Sequence, residues 1–377
     1  MNPLKALSES GQSVWLDFIQ RKLLTGGELK RLVEEDGLRG ITSNPAIFEK
    51  AISDSDDYDD LLRRPGGNMP ADPKQVYEAI AIRDIQDAAD VLQPVYDKTG
   101  CRDGYVSLEV SPHLAHDTEG TVVEARRLWR TVSRDNLMIK VPGTLEGVPA
   151  IEQLIGEGIS VNVTLLFARE AYEEVAQAYI RGLTKAAADG LNVAQIASVA
   201  SFFISRIDTL VDDAIEKRLE GSHDAQTEGL RALMGKVAIA NAKLTYRRYK
   251  EIMRGEGWQA LVGKGARPQR LLWASTSTKN PNYPDVVYID ELIGEDTVNT
   301  IPPVTLDAFR DHGKIRNSLE EDTETAADVM EALERGGVSM GEVTDKLLKD
   351  GIQLFSEAFD KLLAAVGEKC RKVAEHG

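Results

Sequence analysis

The chain has 377 residues, 42% of them hydrophobic, and a formal net charge of -16. This composition suits a soluble globular protein with a sizeable core. The acidic balance argues against general nucleic-acid binding, which needs a basic face, and it obliges any anionic substrate to find a locally positive pocket. The two cysteines, Cys101 and Cys370, stand at no metal-type spacing, which excludes a disulfide framework and suits a reducing compartment. The N-terminal residues lack the apolar core of a signal peptide, and no apolar run approaches the roughly 18 residues of a membrane span. A cytoplasmic protein with no membrane partner is therefore expected.

Ser13–Phe18 reads as a first strand, followed by a helix around Gly27 to Asp36. Leu38–Asn44 is the second strand, and Pro45 suits the first position of a helix capped by Asn44 or Ser43. Residues 52–74, rich in Asp and closing with Pro65-Gly-Gly, read as an exposed acidic insertion. A long amphipathic helix follows, from about Pro73 to Lys98. Gly104–Val110 is the third strand, after which Thr121-Val-Val-Glu124 has the spacing of a capping box that opens a helix to about Ser133. Asn136-Leu-Met-Ile-Lys140-Val-Pro-Gly143 is the fourth strand, with a helix from about Val148 to Gly156. Ser160–Leu166 is the fifth strand, before a helix over 168–189. Gln195–Phe203 is the sixth strand, and its helix starts near Ile204 to Arg206. A polar insertion is expected at 215–228 and a helix from Lys236 to Arg254. Arg270–Ser275 and Thr297–Pro302 are the last two strands, the eighth followed by a helix from Thr305. The remainder, about 323–377, is helical, with a break at Gly336-Gly337.

Eight short apolar strands, each followed by helical sequence, point to parallel βαβ units and to a (β/α)8 barrel of the α/β class. An open doubly wound sheet is the alternative, but no G-x-G-x-x-G or Walker loop is present. The chain reads as one barrel domain over 1–377, with the C-terminal helices of 323–377 packed on it.

Polar residues fall at or near the carboxyl ends of these strands: Asp17, Asn44, Glu109, Lys140, Asn162, Thr164, Ser201 and Ser275. In a barrel those ends meet at one rim, where the active site lies. Burying each one separately and unpartnered would cost a few kcal/mol apiece. Singly, each has an ordinary structural explanation; together they indicate a shared pocket. A desolvated lysine amine can attack a ketone and form an imine, and the protonated imine then draws electrons from a carbon–carbon bond one atom away. Asp17 and Glu109 are the carboxylates available for the proton transfers. Asn44, Asn162 and Ser201 could bind substrate hydroxyls, and Arg206, at a helix start beyond the sixth strand, suits a phosphate.

The ordered segments Trp15-Leu-Asp17, Thr42-Ser-Asn44-Pro45, Ser107-Leu-Glu109-Val, Met138-Ile-Lys140-Val-Pro, Asn162-Val-Thr164-Leu-Leu-Phe167, Ser201-Phe-Phe-Ile-Ser-Arg206 and Ala274-Ser275 resemble the transaldolases over nearly all the strands. The resemblance implies a (β/α)8 barrel without metal or organic cofactor. It also implies transfer of a dihydroxyacetone unit from sedoheptulose 7-phosphate to glyceraldehyde 3-phosphate, in the pentose phosphate pathway. By position, Lys140 resembles the Schiff-base lysine and Asp17 the acid/base at the cleaved bond. Glu109 resembles the carboxylate acting through a catalytic water that Thr164 holds. Asn44, Asn162 and Ser201 match the residues around the dihydroxyacetone portion, and Arg206 and Ser275 match part of the phosphate site. The family's arginine after the seventh-strand Ala-Ser is absent; Lys279 is expected to supply that charge, with Ser277 as a donor.

A metal-dependent aldolase is a rival, because His113 and His116 lie three apart, yet no third ligand stands at a recognisable spacing. Another imine-forming aldolase, without acceptor exchange, is a closer one. A barrel that only binds is hard to reconcile with the lysine, both carboxylates and the Asn-x-Thr pair. The expected partners are phosphorylated ketoses and aldoses. The oligomeric state is left open, a homodimer being one candidate.

Overall fold

The eight apolar runs pair in chain order, each parallel to the next, and the eighth closes onto the first. A computed structural model of the chain describes residues 2–53, 55–59, 72–220 and 229–375. The strands are β1 Gln12–Asp17, β2 Gly40–Thr42, β3 Tyr105–Glu109, β4 Leu137–Pro142, β5 Val161–Leu166, β6 Ser198–Phe203, β7 Arg270–Ala274 and β8 Thr297–Ile301. Before and between them run α1 Pro3–Glu9, α2 Arg21–Thr25, α3 Glu28–Glu35, α4 Pro45–Ser53, α5 Pro73–Lys98, α6 Thr118–Val132, α7 Gly147–Gly156 and α8 Arg169–Ala188. The rest are α9 Ser205–Leu219, α10 Val237–Arg254, α11 Glu256–Val262, α12 Val287–Asp290, α13 Pro303–His312, α14 Thr323–Arg335 and α15 Met340–Glu375. This is the expected (β/α)8 barrel with extra C-terminal helices, and closure excludes the open sheet. β4, β5 and β6 are buried at every position. They lie between side chains filling the barrel and a ring of helices, which explains their near-continuous apolar sequence.

The floor of the barrel is polar and paired. Asp103 is wholly buried; it accepts from Ser13 Oγ at 2.8 Å and from Arg270 Nη2 at 2.9 Å, and Arg270 Nη1 also donates to Ser13 Oγ at 2.8 Å. Burial alone would push the Asp103 carboxyl up, but Arg270, Ser13 and Arg39 together hold it below the ordinary range. Trp15 fills the space above, against Gly40, where a Cβ would lie 2.5 Å from the indole carbons.

Helix α9 is fastened through two carboxylates. Asp208 accepts from the Ala238 amide at 2.7 Å and from Tyr288 Oη at 2.8 Å. Asp212 accepts from the Gly235 amide at 3.0 Å and from Tyr283 Oη at 2.7 Å. These bonds tie α9 to the start of α10 and to the segment after β7.

Several local expectations are corrected. The capping box at Thr121–Glu124 does not open α6. The helix begins at Thr118, with Asp117 accepting from the Gly120 amide at 2.9 Å, and Glu124 instead binds the Ser111 amide and Lys74, each at 2.6 Å. Asp117 takes the cap because it stands one residue before the helical run, where its carboxylate meets unpaired amides. The expected insertion at 52–74 begins inside α4, and its Tyr58 is buried, with Oη donating to Asp84 at 2.8 Å; residues 54 and 60–71 lie outside the described residues. Of the 215–228 segment, α9 takes the part up to Leu219, and 221–228 lie outside the described residues. The C-terminal break falls where expected, between α14 and α15, with Gly337 at a φ of 79°. Helix α15, however, does more than pack on the outside: it crosses the carboxyl-end mouth of the barrel.

Removing the partner of the buried Asp103 should be costly. Arg270→Ala is expected to lower the unfolding free energy by about 3–5 kcal/mol, read as a shift of the urea midpoint; a loss of only a few tenths would show that the pair does not hold the floor. A second expectation concerns Asp208, which burial raises to about 7 from its ordinary 3.8. The unfolded chain releases that proton at lower pH than the folded chain does, so this carboxyl's contribution is complete at low pH and is lost as pH rises through about 7. Asp208→Asn stays neutral throughout, so its stability relative to the native chain should improve from pH 5 to pH 8, by at most about 1.4 kcal/mol per pH unit. An equal difference at both pH values would refute the shift.

Candidate active site

Register places the chemistry. Glu109 on β3 lies beside Lys140 on β4, and Lys140 lies beside Asn162 on β5. Lys140 and Glu109 have side chains 6% and 4% exposed, and the ammonium stands 3.4 Å from Glu109 Oε2. Lys140 Nζ also donates to the Ser43 carbonyl at 3.1 Å, and the Phe355 ring lies with its centroid 5.6 Å away. Neither Glu109 oxygen accepts a hydrogen bond from the described residues, and Thr164 Oγ1 is likewise buried without a partner. Burial raises the Glu109 carboxyl, with the charge of Asp17 adding to the effect and Lys140 opposing it. Burial raises Asp17 too, against the pull of Lys140, Thr42 and Lys279. Thr42 Oγ1 holds Asp17 Oδ1 at 2.8 Å and stands 2.6 Å from Thr300 Oγ1.

Lys140 opens into a cavity of about 760 Å³ at the mouth of the barrel, which Asp17, Asn44, Thr164, Ser201, Arg206, Ser275, Ser277 and Lys279 also line. Asn44 caps α4 through Oδ1, accepting from the Ile47 amide at 3.1 Å, which leaves its amide nitrogen to the cavity. Ser43, the other cap candidate, is instead turned to the Ser107 carbonyl at 2.8 Å. Asn162 lies deeper: it is fully buried, donates to Ser107 Oγ at 3.0 Å and accepts from Ser201 Oγ at 2.7 Å. It therefore orients Ser201 from below and is not part of the cavity wall. Glu109, similarly, sits behind Lys140 and not on the wall.

The cavity lining also carries an arginine unpaired among the described residues. Arg206, in the first turn of α9, is half-buried and has no hydrogen bond or ion pair to any described residue; its guanidinium lies over the Phe203 ring, 5.3 Å from the centroid. Burial alone pulls it below the ordinary arginine range. Ser275 follows β7 with a φ of 56° and meets Ser205 Oγ at 2.9 Å, while Ser277 meets Thr305 Oγ1 at 2.8 Å. Lys50, Lys140, Arg206, Lys279 and Lys361 face Asp17, Glu49 and Glu357 across the lining. The locally positive pocket required by the net charge is thus present.

The sequence reading missed Lys50, Phe355 and Lys361. The last two belong to α15, where Leu354, Ala358 and Lys361 line the cavity at helical spacing. That spacing could have marked a helix face, but only the tertiary path of α15 reveals what the face covers. His113 and His116 diverge, to Asp360 at 2.8 Å and Glu146 at 3.1 Å, and no cluster of three or more metal-binding side chains occurs among the described residues.

A family model described as Transaldolase/Fructose-6-phosphate aldolase matches residues 14–366. The chain is 49% identical over 376 residues to Transaldolase 2 of Nostoc sp. strain PCC 7120, covering 98% of each protein. It is 48% identical to the transaldolase of Trichodesmium erythraeum over 375 residues, which is 99% of this chain and 98% of that one. It is 47% identical to the transaldolase of Thiobacillus denitrificans over 367 residues, 97% of this chain and all of that one. With Lys140, its paired carboxylate and a cationic cavity at the carboxyl ends of a closed parallel barrel, the chain belongs to the transaldolase/fructose-6-phosphate aldolase family.

Proposed function

We propose that Lys140 is the lysine through which this transaldolase forms its Schiff base, in moving a dihydroxyacetone unit from sedoheptulose 7-phosphate to glyceraldehyde 3-phosphate. The observation that carries the assignment is the placement of Lys140. Its nitrogen is buried beside a carboxylate, yet it lines the same cavity as Arg206, which has no counter-ion among the described residues. The Lys140 amine adds to the ketose C2 carbonyl, and loss of water gives the protonated imine. Asp17 takes the proton of the C4 hydroxyl, the C3–C4 bond breaks, and its electron pair moves into the imine to leave an enamine. The aldose departs with its phosphate. The enamine carbon then attacks the carbonyl of the acceptor aldose, and Asp17 returns the proton to the new hydroxyl. Water re-enters at C2 and frees Lys140.

Glu109 and Thr164 have buried oxygens with unspent hydrogen-bonding capacity next to Lys140, which suits the handling of the water lost and regained at C2. Asn44 and Ser201 serve the dihydroxyacetone hydroxyls, with Asn162 orienting Ser201 from beneath the cavity wall. Arg206, Ser275, Ser277 and Lys279 receive the phosphate. Lysine at 279 supplies a point charge and not a bidentate fork, so affinity for the phosphate rests mainly on Arg206. The whole chain works as one unit in this reading, since α15 contributes to the cavity. Both cysteines are free, which suits the cytoplasm, and no helix among the described residues is long and apolar enough to cross a membrane.

Borohydride reduction in the presence of fructose 6-phosphate should fix a dihydroxyacetone-derived label on the peptide containing Lys140 and abolish activity; a label on another lysine, or none, would overturn the assignment. Lys279→Glu places a carboxylate where the phosphate is expected and should raise KM for fructose 6-phosphate by about tenfold or more, one decade being about 1.4 kcal/mol. An unchanged KM would remove Lys279 from the phosphate site.

A further inference from the structure

Phe355 lies on no strand, yet its ring centroid is 5.6 Å from Lys140 Nζ and the residue is only 9% exposed. The Ser43 carbonyl and the Glu109 carboxylate contact the same nitrogen from the barrel wall. The ring approaches from α15, which passes over the mouth, and so covers the side that faces the cavity. Its position is set from both directions along the helix. Upstream, Gly351 lets α15 run close to the rim: a Cβ there would lie 3.0 Å from Leu165 Cδ2 and 3.9 Å from Arg206 Nη1. Downstream, the Phe359 ring stands edge-on to Tyr77 at 5.8 Å, Asp360 meets His113 Nε2 at 2.8 Å, and Lys369 Nζ donates to the Ile52 carbonyl at 3.0 Å and pairs with Asp59 at 3.1 Å. The ring is therefore built into the resting enzyme.

Such a position matters at one moment of the reaction. After the first aldose leaves, the enamine on Lys140 has two fates. It can attack an acceptor aldose, or it can take a proton at C3 to become the iminium. Water then adds to C2, the carbinolamine expels the Lys140 amine, and free dihydroxyacetone is released. The proton gained at C3 is given back when water adds, so the second route consumes one water in net; because transfer also ends with water adding at C2, the step that divides the two routes is protonation at C3. An apolar ring over the nitrogen keeps water, the proton donor, from the enamine carbon next to C2, and so slows the step that leads to release without hindering attack on an acceptor already bound. We infer that Phe355 is a specificity-determining residue that shields the Lys140 adduct from water, and so directs the enzyme to transfer and away from simple aldol cleavage. This rests on Lys140 being the imine-forming lysine.

The test uses the full chain and its variants Phe355→Ala and Phe355→Leu. Each is given fructose 6-phosphate alone, with release of dihydroxyacetone measured, and fructose 6-phosphate with erythrose 4-phosphate, with formation of sedoheptulose 7-phosphate measured. The ratio of release to transfer is the readout, because a purely structural loss lowers both rates together. Phe355→Ala should raise the ratio by about tenfold or more, and Phe355→Leu, which keeps apolar bulk, by less. An unchanged ratio in both variants overturns the inference. Should Phe355→Ala fail to unfold cooperatively, Phe355→Leu decides in the same way: a raised ratio supports the shield and an unchanged one overturns it. Borohydride trapping in the native chain separates this inference from the one beneath it. A label on Lys140 with an unchanged ratio removes only the shield; a label elsewhere removes the Lys140 assignment with it.

Discussion

A buried ammonium must have a counter-charge, and the Lys140–Glu109 pair meets that requirement at the rim of the barrel with side chains almost wholly withdrawn from solvent. At this depth, removing one partner of such a pair costs about 3–5 kcal/mol, because the other is left charged and unpaired. The surrounding chain is arranged to serve that nitrogen. β2 is only three residues long, so the Ser43 carbonyl falls beyond the strand and is available to accept from Lys140. The chain then turns at once into α4, with Asn44 as its cap and Pro45 at its first position. One short strand thus supplies both a lone pair to the lysine and an amide to the cavity.

Backbone strain gathers at the same rim. Leu165 has a φ of 60° at a register shift between β5 and β6, and Ser275 has a φ of 56° just past β7. Residues without glycine's freedom in this region cost about 1–3 kcal/mol each and persist only when their surroundings over-determine them. Here the surroundings do so. Leu165 is buried against Gly351 of α15, and Ser275 is held through its carbonyl by the Ser205 amide at 3.0 Å and through its hydroxyl by Ser205 Oγ. The bulge follows Thr164, which lines the cavity, and the turn at Ser275 presents a hydroxyl beside Arg206. Strain gathers at this rim because the strands end their ladders at the cavity.

The barrel was legible because its strands are short, apolar and separated by helices, and because polar residues cluster at their carboxyl ends. Lys140, Asp17, Thr164 and Arg206 could be assigned to one rim from those patterns, and they line one cavity. The depth of Asn162 was not legible: period-2 alternation gives a face, but not whether a side chain ends at the cavity or beneath it. Asp117 over Thr121 as the cap of α6 was missed because two acceptor residues competed and only the chain path decides which meets the free amides. Helix α15 was the largest omission. Its apolar stripe reads as packing, and nothing local distinguishes a stripe that covers the outside of a barrel from one that roofs its mouth.

Charge gives the cavity its direction. The molecule carries -16 overall, which would repel a phosphorylated sugar at long range. At physiological ionic strength, however, that repulsion is screened beyond roughly 8 Å, so the nearest groups decide binding. Arg21, Arg39, Arg270 and Arg310, each at least partly withdrawn from solvent, all have a carboxylate partner. Arg206 has none among the described residues and keeps only an aromatic face beneath it. A half-buried guanidinium without a counter-ion lowers the stability of the empty enzyme, and a carboxylate next to it would remove that cost. In the proposed reaction such a carboxylate would also occupy the place of the phosphate. The resting cavity therefore keeps one charge satisfied, at Lys140, and leaves one unsatisfied, at Arg206. In the proposed reaction that asymmetry orients the substrate, with the phosphate at the uncompensated cation and the carbonyl end at the amine.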